Sequence, residues 1–241
     1  MKQDMKLVAV FDPEERSRKV VIPLMQKLGY RVDGHHDAEK IASRLAGPYK
    51  ADLIFLHLAV FGDSYQQITE GLGGLDLSGP GKPPVLAVTA LSLSSHSRER
   101  LESLGCSVVL SRQAPVMELV FSVNRLLFPK IRELRRYTRI FGGFPVSFEH
   151  GGTLHEAEIY NLSREGAFIQ CAAPPPEGAR LQLRFVLPDI GTPIEVETLV
   201  NWVNQPEGAS DPLSPTGMGV SFLTLNAEES STLGRFIEDR T

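Results

Sequence analysis

Near residue 142 the spacing of apolar residues changes period, and this break constrains the fold more than any other feature of the sequence. Upstream, short unbroken apolar runs alternate with segments at helical spacing. Downstream, apolar and polar residues alternate one by one. Unbroken runs suit strands buried on both faces between helices, whereas period two suits strands with one face in water. A chain of 241 residues also has room for two domains of about 100–200 residues. An α/β unit followed by an all-β unit is therefore expected.

In the first half, LVAVF (Leu7 to Phe11), YRVDGHHD, DLIFLHLAV (Asp52 to Val60), PVLAVTA ending at Ala90, and SVVLS (Ser107 to Ser111) read as five strands. PEERSRKVVIPLMQKLGY, AEKIASRLAG, SRERLESLG and PVMELVFSVNRLLFPKIRELRRY read as helices, interrupted in the first and last by Pro23 and Pro129. Strands alternating with helices imply a parallel sheet with right-handed crossovers. The Gly- and Pro-rich tract from Asp63 to Pro84 reads as a surface loop with at most a short frayed helix. Its GLGGL lacks the GKS/T and the strand–loop–helix setting of a phosphate loop.

In the second half, FPVSFEH and TLHEAEIYNLS flank Gly151-Gly152, a hairpin signal. GAFIQCA, RLQLRFVLP, IEVETLVNWVNQ and GMGVSFLTL (Gly217 to Leu225) follow as further strands. NAEESSTLGRFIED reads as a helix, with Asn226 as its cap, Glu229 reaching back, and Leu233, Phe236 and Ile237 on its apolar face. Six strands closing on themselves, with a terminal helix against one opening, fit a small β-barrel of about 100 residues.

The first residues lack the apolar stretch of a signal peptide, and no run approaches the roughly 18–20 residues of a membrane span, so a cytoplasmic protein is expected. Cys106 and Cys171 belong to no CxxC or Cys/His cluster and are expected to be buried, inert thiols. Charge is unevenly spread. Residues 1–128 carry 15 basic and 14 acidic side chains (+1), residues 129–141 carry 5 and 1 (+4), and residues 142–241 carry 5 and 14 (−9). An acidic second half is a poor partner for a nucleic-acid polymer, whose affinity comes from many phosphate contacts. A compact anion with few charges is not excluded by this distribution. No nucleophile–base pair, metal cluster or cofactor loop stands out, so neither an enzyme nor a cofactor is expected. Glu228-Glu229 sits at a helix start, where it favours the dipole. His35-His36, His150 and His155 form no ligand spacing.

The strand spacing of residues 5–128 resembles the receiver domain of bacterial response regulators, a flavodoxin-like fold with a five-stranded parallel sheet. A competent receiver has acids after its first strand, a phospho-accepting Asp after its third, Thr or Ser after its fourth and Lys after its fifth. Here Asp12-Pro13-Glu14-Glu15 keeps acids, DLIFLHL puts His57 in place of the acceptor, VTA keeps Thr89, and LSRQ puts Arg112 in place of Lys. Phosphoryl transfer to this site needs a carboxylate oxygen as nucleophile beside Mg²⁺. The resemblance therefore implies a degenerate receiver-like domain that is not phosphorylated on Asp.

Two motifs remain. RRYTR places Arg135, Arg136 and Arg139 within five residues, a helix end, a basic linker or an anion clamp. NLSREGAF places Asn161, Ser163 and Gly166 between two strands, where Asn and Ser bond at turns and Gly permits a positive φ or close ligand approach. Each motif alone is weak. In order, Arg135-RYT-Arg139-Ile140, Phe144, Val146, the NxSxxG, VNW and GMGVSF resemble a PilZ domain, the bacterial receptor module for cyclic di-GMP, over residues 132–240. The resemblance implies that Arg135 and Arg139 clamp guanine or phosphate, that Asn161 and Ser163 add polar contacts, and that Gly166 shapes their turn. Arginine suits both targets because its planar fork pairs bidentately with guanine edges or phosphate oxygens.

Arg136 belongs to the same candidate ligand set, although it lies between the two clamp residues and can point elsewhere. Leu134 before Arg135 leaves no adjacent guanidinium for a second stacked ligand, which favours one cyclic di-GMP per site, with Arg132 one turn upstream leaving that open. The division expected is a receiver-like domain over 1–128, a basic helical linker with RxxxR over 129–141, and a PilZ six-stranded barrel over 142–241. A ligand bound at the linker is expected to change the domain arrangement and signal to a downstream protein partner, with a homodimer through a receiver helix face as a further expectation. Two other readings stand beside this one: a PilZ-type scaffold without the ligand, and a phosphorelay response regulator.

Overall fold

The computed structural model describes residues 5–45, 50–129, 137–191, 193–205 and 214–240. The chain divides into two compact units, residues 1–129 and 130–241.

The first unit is built on β1 (Leu7–Phe11), β2 (Arg31–His35), β3 (Leu53–His57), β4 (Val85–Thr89) and β5 (Val108–Ser111). All neighbours are parallel, in the order β2-β1-β3-β4-β5. That order is the flavodoxin-like one, in which the chain reverses direction beside β1. Every residue of β3 and β4 is buried, as unbroken apolar runs require. Helices α1 (Glu15–Lys27), α2 (Ile41–Leu45), α3 (Tyr65–Gly73), α4 (Ser95–Ser103) and α5 (Val116–Leu127) connect the strands. Within α5, Val120, Val123 and Leu127 are buried at helical spacing. Pro23 lies inside α1 without ending it.

Two sequence expectations change here. The apolar run at residues 52–60 is strand only through His57. Leu58–Phe61 form a 3₁₀ turn ending at Gly62, whose φ is 128°. Leu58 is fully buried, so hydrophobicity persists through the turn and hides it. The Gly-rich tract contains α3, a nine-residue helix rather than a frayed one. Ser64 and Gln67 form a capping box at its start, and Ile68 and Leu72 bury one face.

Asp52 ties β1 to β3. One carboxylate oxygen accepts from the Leu7 N–H at 2.8 Å, and the other from the Lys6 ammonium at 2.8 Å. Burial raises the Asp52 pKa, but those hydrogen bonds and the charge of Lys6 outweigh it, and the net shift is downward. A carboxyl with a depressed folded-state pKa stabilises the fold above its unfolded pKa, and that contribution is lost as pH falls through the folded value. Asp52→Asn is therefore expected to cost about 1 kcal/mol at neutral pH. In urea melts the difference from the wild type should shrink once pH falls below about 4. A difference that stays constant into strong acid would contradict the assignment.

The second unit is a closed antiparallel barrel of β6 (Ile140–His150), β7 (Thr153–Ser163), β8 (Gly166–Gln170), β9 (Arg180–Val186), β10 (Pro193–Asn204) and β11 (Gly217–Phe222). The strands run in the order β10-β11-β8-β7-β6-β9, and β9 pairing with β10 closes the ring. Alternation is clean along β9, where Leu181, Leu183 and Phe185 point inward. Gly151 and Gly152 have φ of 60° and 74°, the pair of positive values that a tight hairpin turn requires. Helix α6 (Ala227–Glu238) packs Leu233, Phe236 and Ile237 into the barrel core, with Phe236 edge-on to Phe144 at 6.2 Å. Its capping box is formed as expected: the Glu229 N–H donates to Asn226 at 2.8 Å, and the Asn226 N–H to Glu229 at 3.0 Å.

Cys106 is buried, and burial, helped by the nearby charge of Glu102, pushes its thiol up to about 12. Cys171 is half-buried rather than buried, and burial alone pushes it up to about 11. Both therefore stay protonated at neutral pH, with little of the thiolate that reacts.

Candidate functional site

The end of β7 carries the NxSxxG motif. Leu162 points into the barrel core, so alternation turns its neighbours Asn161 and Ser163 to the outer face, while Ile159 also faces the core because the β7–β8 register shifts between it and Asn161. Asn161 pairs with Phe141 on β6 and Phe168 on β8, and Ser163 pairs with Gly166 across the turn. Both side chains are sheltered, with Asn161 8% and Ser163 7% exposed. The Ser163 hydroxyl donates to the Gly166 carbonyl at 3.0 Å. The Asn161 Oδ1 is buried with no hydrogen-bond partner among the described residues. A buried acceptor of this kind costs about 1–3 kcal/mol until something donates to it.

Gly166 is not needed for the reason that its turn position suggests. Its φ is not positive, and neither residue of the Arg164-Glu165 turn has a positive φ. Instead, β8 and β11 approach so closely that a Cβ at 166 would fall inside the Val220 carbonyl oxygen. The glycine therefore shapes the motif by letting two barrel strands meet.

Arg139 is half-buried and immediately precedes Ile140, which pairs with Leu162. That register puts its backbone at the Ser163 end of β7. Arg135 and Arg136 lie outside the described residues. Of the six candidate site residues, the fold thus brings Arg139, Asn161, Ser163 and Gly166 to one end of β7 and β8.

A row of aromatic rings crosses the same outer face, and the sequence reading did not single it out. Phe141 meets Tyr160 at 6.0 Å, Tyr160 meets Phe168 at 6.0 Å, and Phe168 meets Trp202 at 5.0 Å. Tyr160 sits where the β7–β8 register shifts, and Trp202 where the β10–β11 register shifts. The Trp202 indole lies over Gly219, where any Cβ would overlap it. VNW and GMG were therefore the sequence signal for this packing: a large ring over a position without a side chain.

In the first unit, the strand ends gather Asp12, Glu14, His57, Thr89 and Arg112. Asp12 and His57 are buried and face each other, with Nδ1 3.6 Å from the carboxylate. The Glu14 N–H donates to Asp12 at 2.9 Å, and the Arg112 N–H to the Thr89 carbonyl at 2.8 Å. The Arg112 guanidinium pairs with both carboxylate oxygens of Glu14, linking the loop after β1 to the loop after β5. An imidazole at the end of β3 cannot form an acyl phosphate. Incubation with Mg²⁺ and acetyl phosphate is therefore expected to leave the mass of residues 1–129 unchanged, whereas a stoichiometric adduct would contradict this.

The two units define a class: a flavodoxin-like, receiver-type domain joined to a closed β-barrel that gathers polar groups at one strand end. The sequence model described as PilZ domain matches residues 133–239, and this segment is a PilZ domain. No curated protein matches the chain. Among solved structures, the Bacillus subtilis inhibitor of motility MotI/DgrA is similar at 22% identity and a TM-score of 0.38, over 44% of this chain and 50% of that one. This chain thus spans half the length of that protein. A response-regulator receiver domain from Bermanella marisrubri is similar at 14% identity and a TM-score of 0.41, over 52% of this chain and 99% of that one. The PilZ domain of Escherichia coli YcgR with c-di-GMP is similar at 18% identity and a TM-score of 0.36, over 44% and 91%. Among the described residues, no helix is long and apolar enough to cross a membrane.

Proposed function

We propose that this protein is a bacterial, cytoplasmic receptor for cyclic di-GMP, with the PilZ barrel and the basic segment before it as the binding site. The observation that carries the reading is the NxSxxG set on the outer face of β7, with the partnerless Asn161 Oδ1, inside a segment that matches the PilZ family. Asn161 and Ser163 offer polar contacts to a base or phosphate. Arg135 and Arg139 supply guanidinium forks for guanine edges and phosphates, and Arg136 stands between them. The ligand's two negative charges match the +4 of residues 129–141 rather than the −9 of the barrel sequence.

Binding of one dinucleotide neutralises the arginines of the segment that joins the two domains and changes the domain arrangement for a downstream protein partner. The receiver-like domain takes no part as a phosphoacceptor, and the protein acts by binding rather than by catalysis. Calorimetric titration with cyclic di-GMP, with small-angle scattering on the same samples, tests this. Saturable binding near one ligand per chain with a changed scattering curve is expected. No binding heat would leave the scaffold reading, and binding with identical curves would remove the rearrangement.

A further inference from the structure

The turn between Ser163 and Gly166 holds two charged side chains, Arg164 and Glu165, and the motif uses neither. The Arg164 guanidinium pairs with the Glu238 carboxylate in the last turn of α6 and lies over Gly234. A Cβ at position 234 would stand 3.2 Å from the guanidinium carbon, so the glycine lets the guanidinium lie close against the helix, where a methyl would push it out by a few tenths of an ångström. The Glu165 carbonyl accepts from the Phe222 N–H at 2.9 Å, which pins the turn's backbone to the end of β11. The Arg164 side chain is left as the part able to move. Arg164 is 44% and Glu238 64% exposed, so their attraction is screened and easily exchanged. A phosphate beside Ser163 accepts the same fork bidentately and more strongly.

We propose that Arg164 is a further ligand-binding arginine held by α6 in the free protein. On binding it leaves Glu238 for a phosphate of the dinucleotide, and the last turn of α6 is released. The inference rests on the cyclic di-GMP reading, and it gives that site a readout within the barrel itself.

Titrations of full-length wild type, Arg164→Met and Glu238→Gln with cyclic di-GMP, together with amide hydrogen exchange over α6, test it. Glu238→Gln should bind about two- to fivefold tighter, because the competing carboxylate charge is gone. Arg164→Met should bind about tenfold more weakly. Ligand should speed exchange at the end of α6 in the wild type, whereas Glu238→Gln should already exchange fast without it. A gain of affinity cannot come from misfolding, so the glutamine variant guards against a merely damaged protein. Wild-type binding with unchanged affinity in both variants, or equal weakening in both, overturns the inference alone. No binding by the wild type overturns the receptor reading and the inference with it.

Discussion

Arg139→Ala is expected to weaken cyclic di-GMP binding about 10- to 100-fold while leaving the melting temperature within a degree or two. Losing one bidentate guanidinium contact to a base edge or phosphate is worth about 1–3 kcal/mol. The residue is half-buried just outside β6, so its removal opens no cavity in the barrel core. Arg135→Ala should behave alike, and the double variant should lose binding beyond calorimetric detection. The losses need not add, because both forks serve one ligand. Lysine at 139 separates geometry from charge: it keeps the charge but not the fork, and should recover only a minor part of the affinity. Full recovery by lysine would mean that the segment attracts the ligand only as a point charge. Unchanged affinity in Arg139→Ala would move the site elsewhere.

Gly166→Ala should destabilise the barrel by about 2–4 kcal/mol, a large fraction of a domain's stability, because overpacking meets backbone rather than a yielding side chain. The new methyl would overlap the Val220 carbonyl, and neither β8 nor β11 can retreat without opening the ladder that joins them. Chemical denaturation of the barrel reads this directly. Gly73→Ala is the control, since nothing lies within 4 Å of its Cβ position and its φ is ordinary. A Gly166→Ala protein as stable as the control would contradict the close strand approach. The same reasoning affects how binding data are read. Loss of ligand affinity on changing Gly166 would report a distorted barrel, so Ser163→Ala and Asn161→Ala are the better probes of direct contact.

The change of hydrophobic period near residue 142 made the two architectures legible, because burial on two faces and burial on one face leave different patterns along a strand. The Asn226–Glu229 cap was equally visible, since both partners lie within four residues. Helix α3 was hidden by its composition: GLGGL reads as loop, yet the Ser64–Gln67 box and the buried Ile68 and Leu72 hold the helix through packing that propensity does not register. At the candidate site, residue types and order were legible, but reasons were not. Gly166 and Gly219 are dictated by what lies across the sheet, Val220 and Trp202, and such partners are separated by many residues of sequence. Arg164 escaped notice for the same reason, because its partner Glu238 is the last residue of the final helix.

Closure of the ring by β9 on β10 has a consequence for recognition. A closed barrel has no unpaired strand edge, so no extended peptide can be added to it as a further strand, and chance self-association by that route is blocked. A protein that senses the state of this barrel must read side chains, loop tips or the helix at its mouth. The parallel sheet of the first unit ends instead in two outer strands, β2 and β5, and is the part of the molecule where backbone-mediated docking has a template.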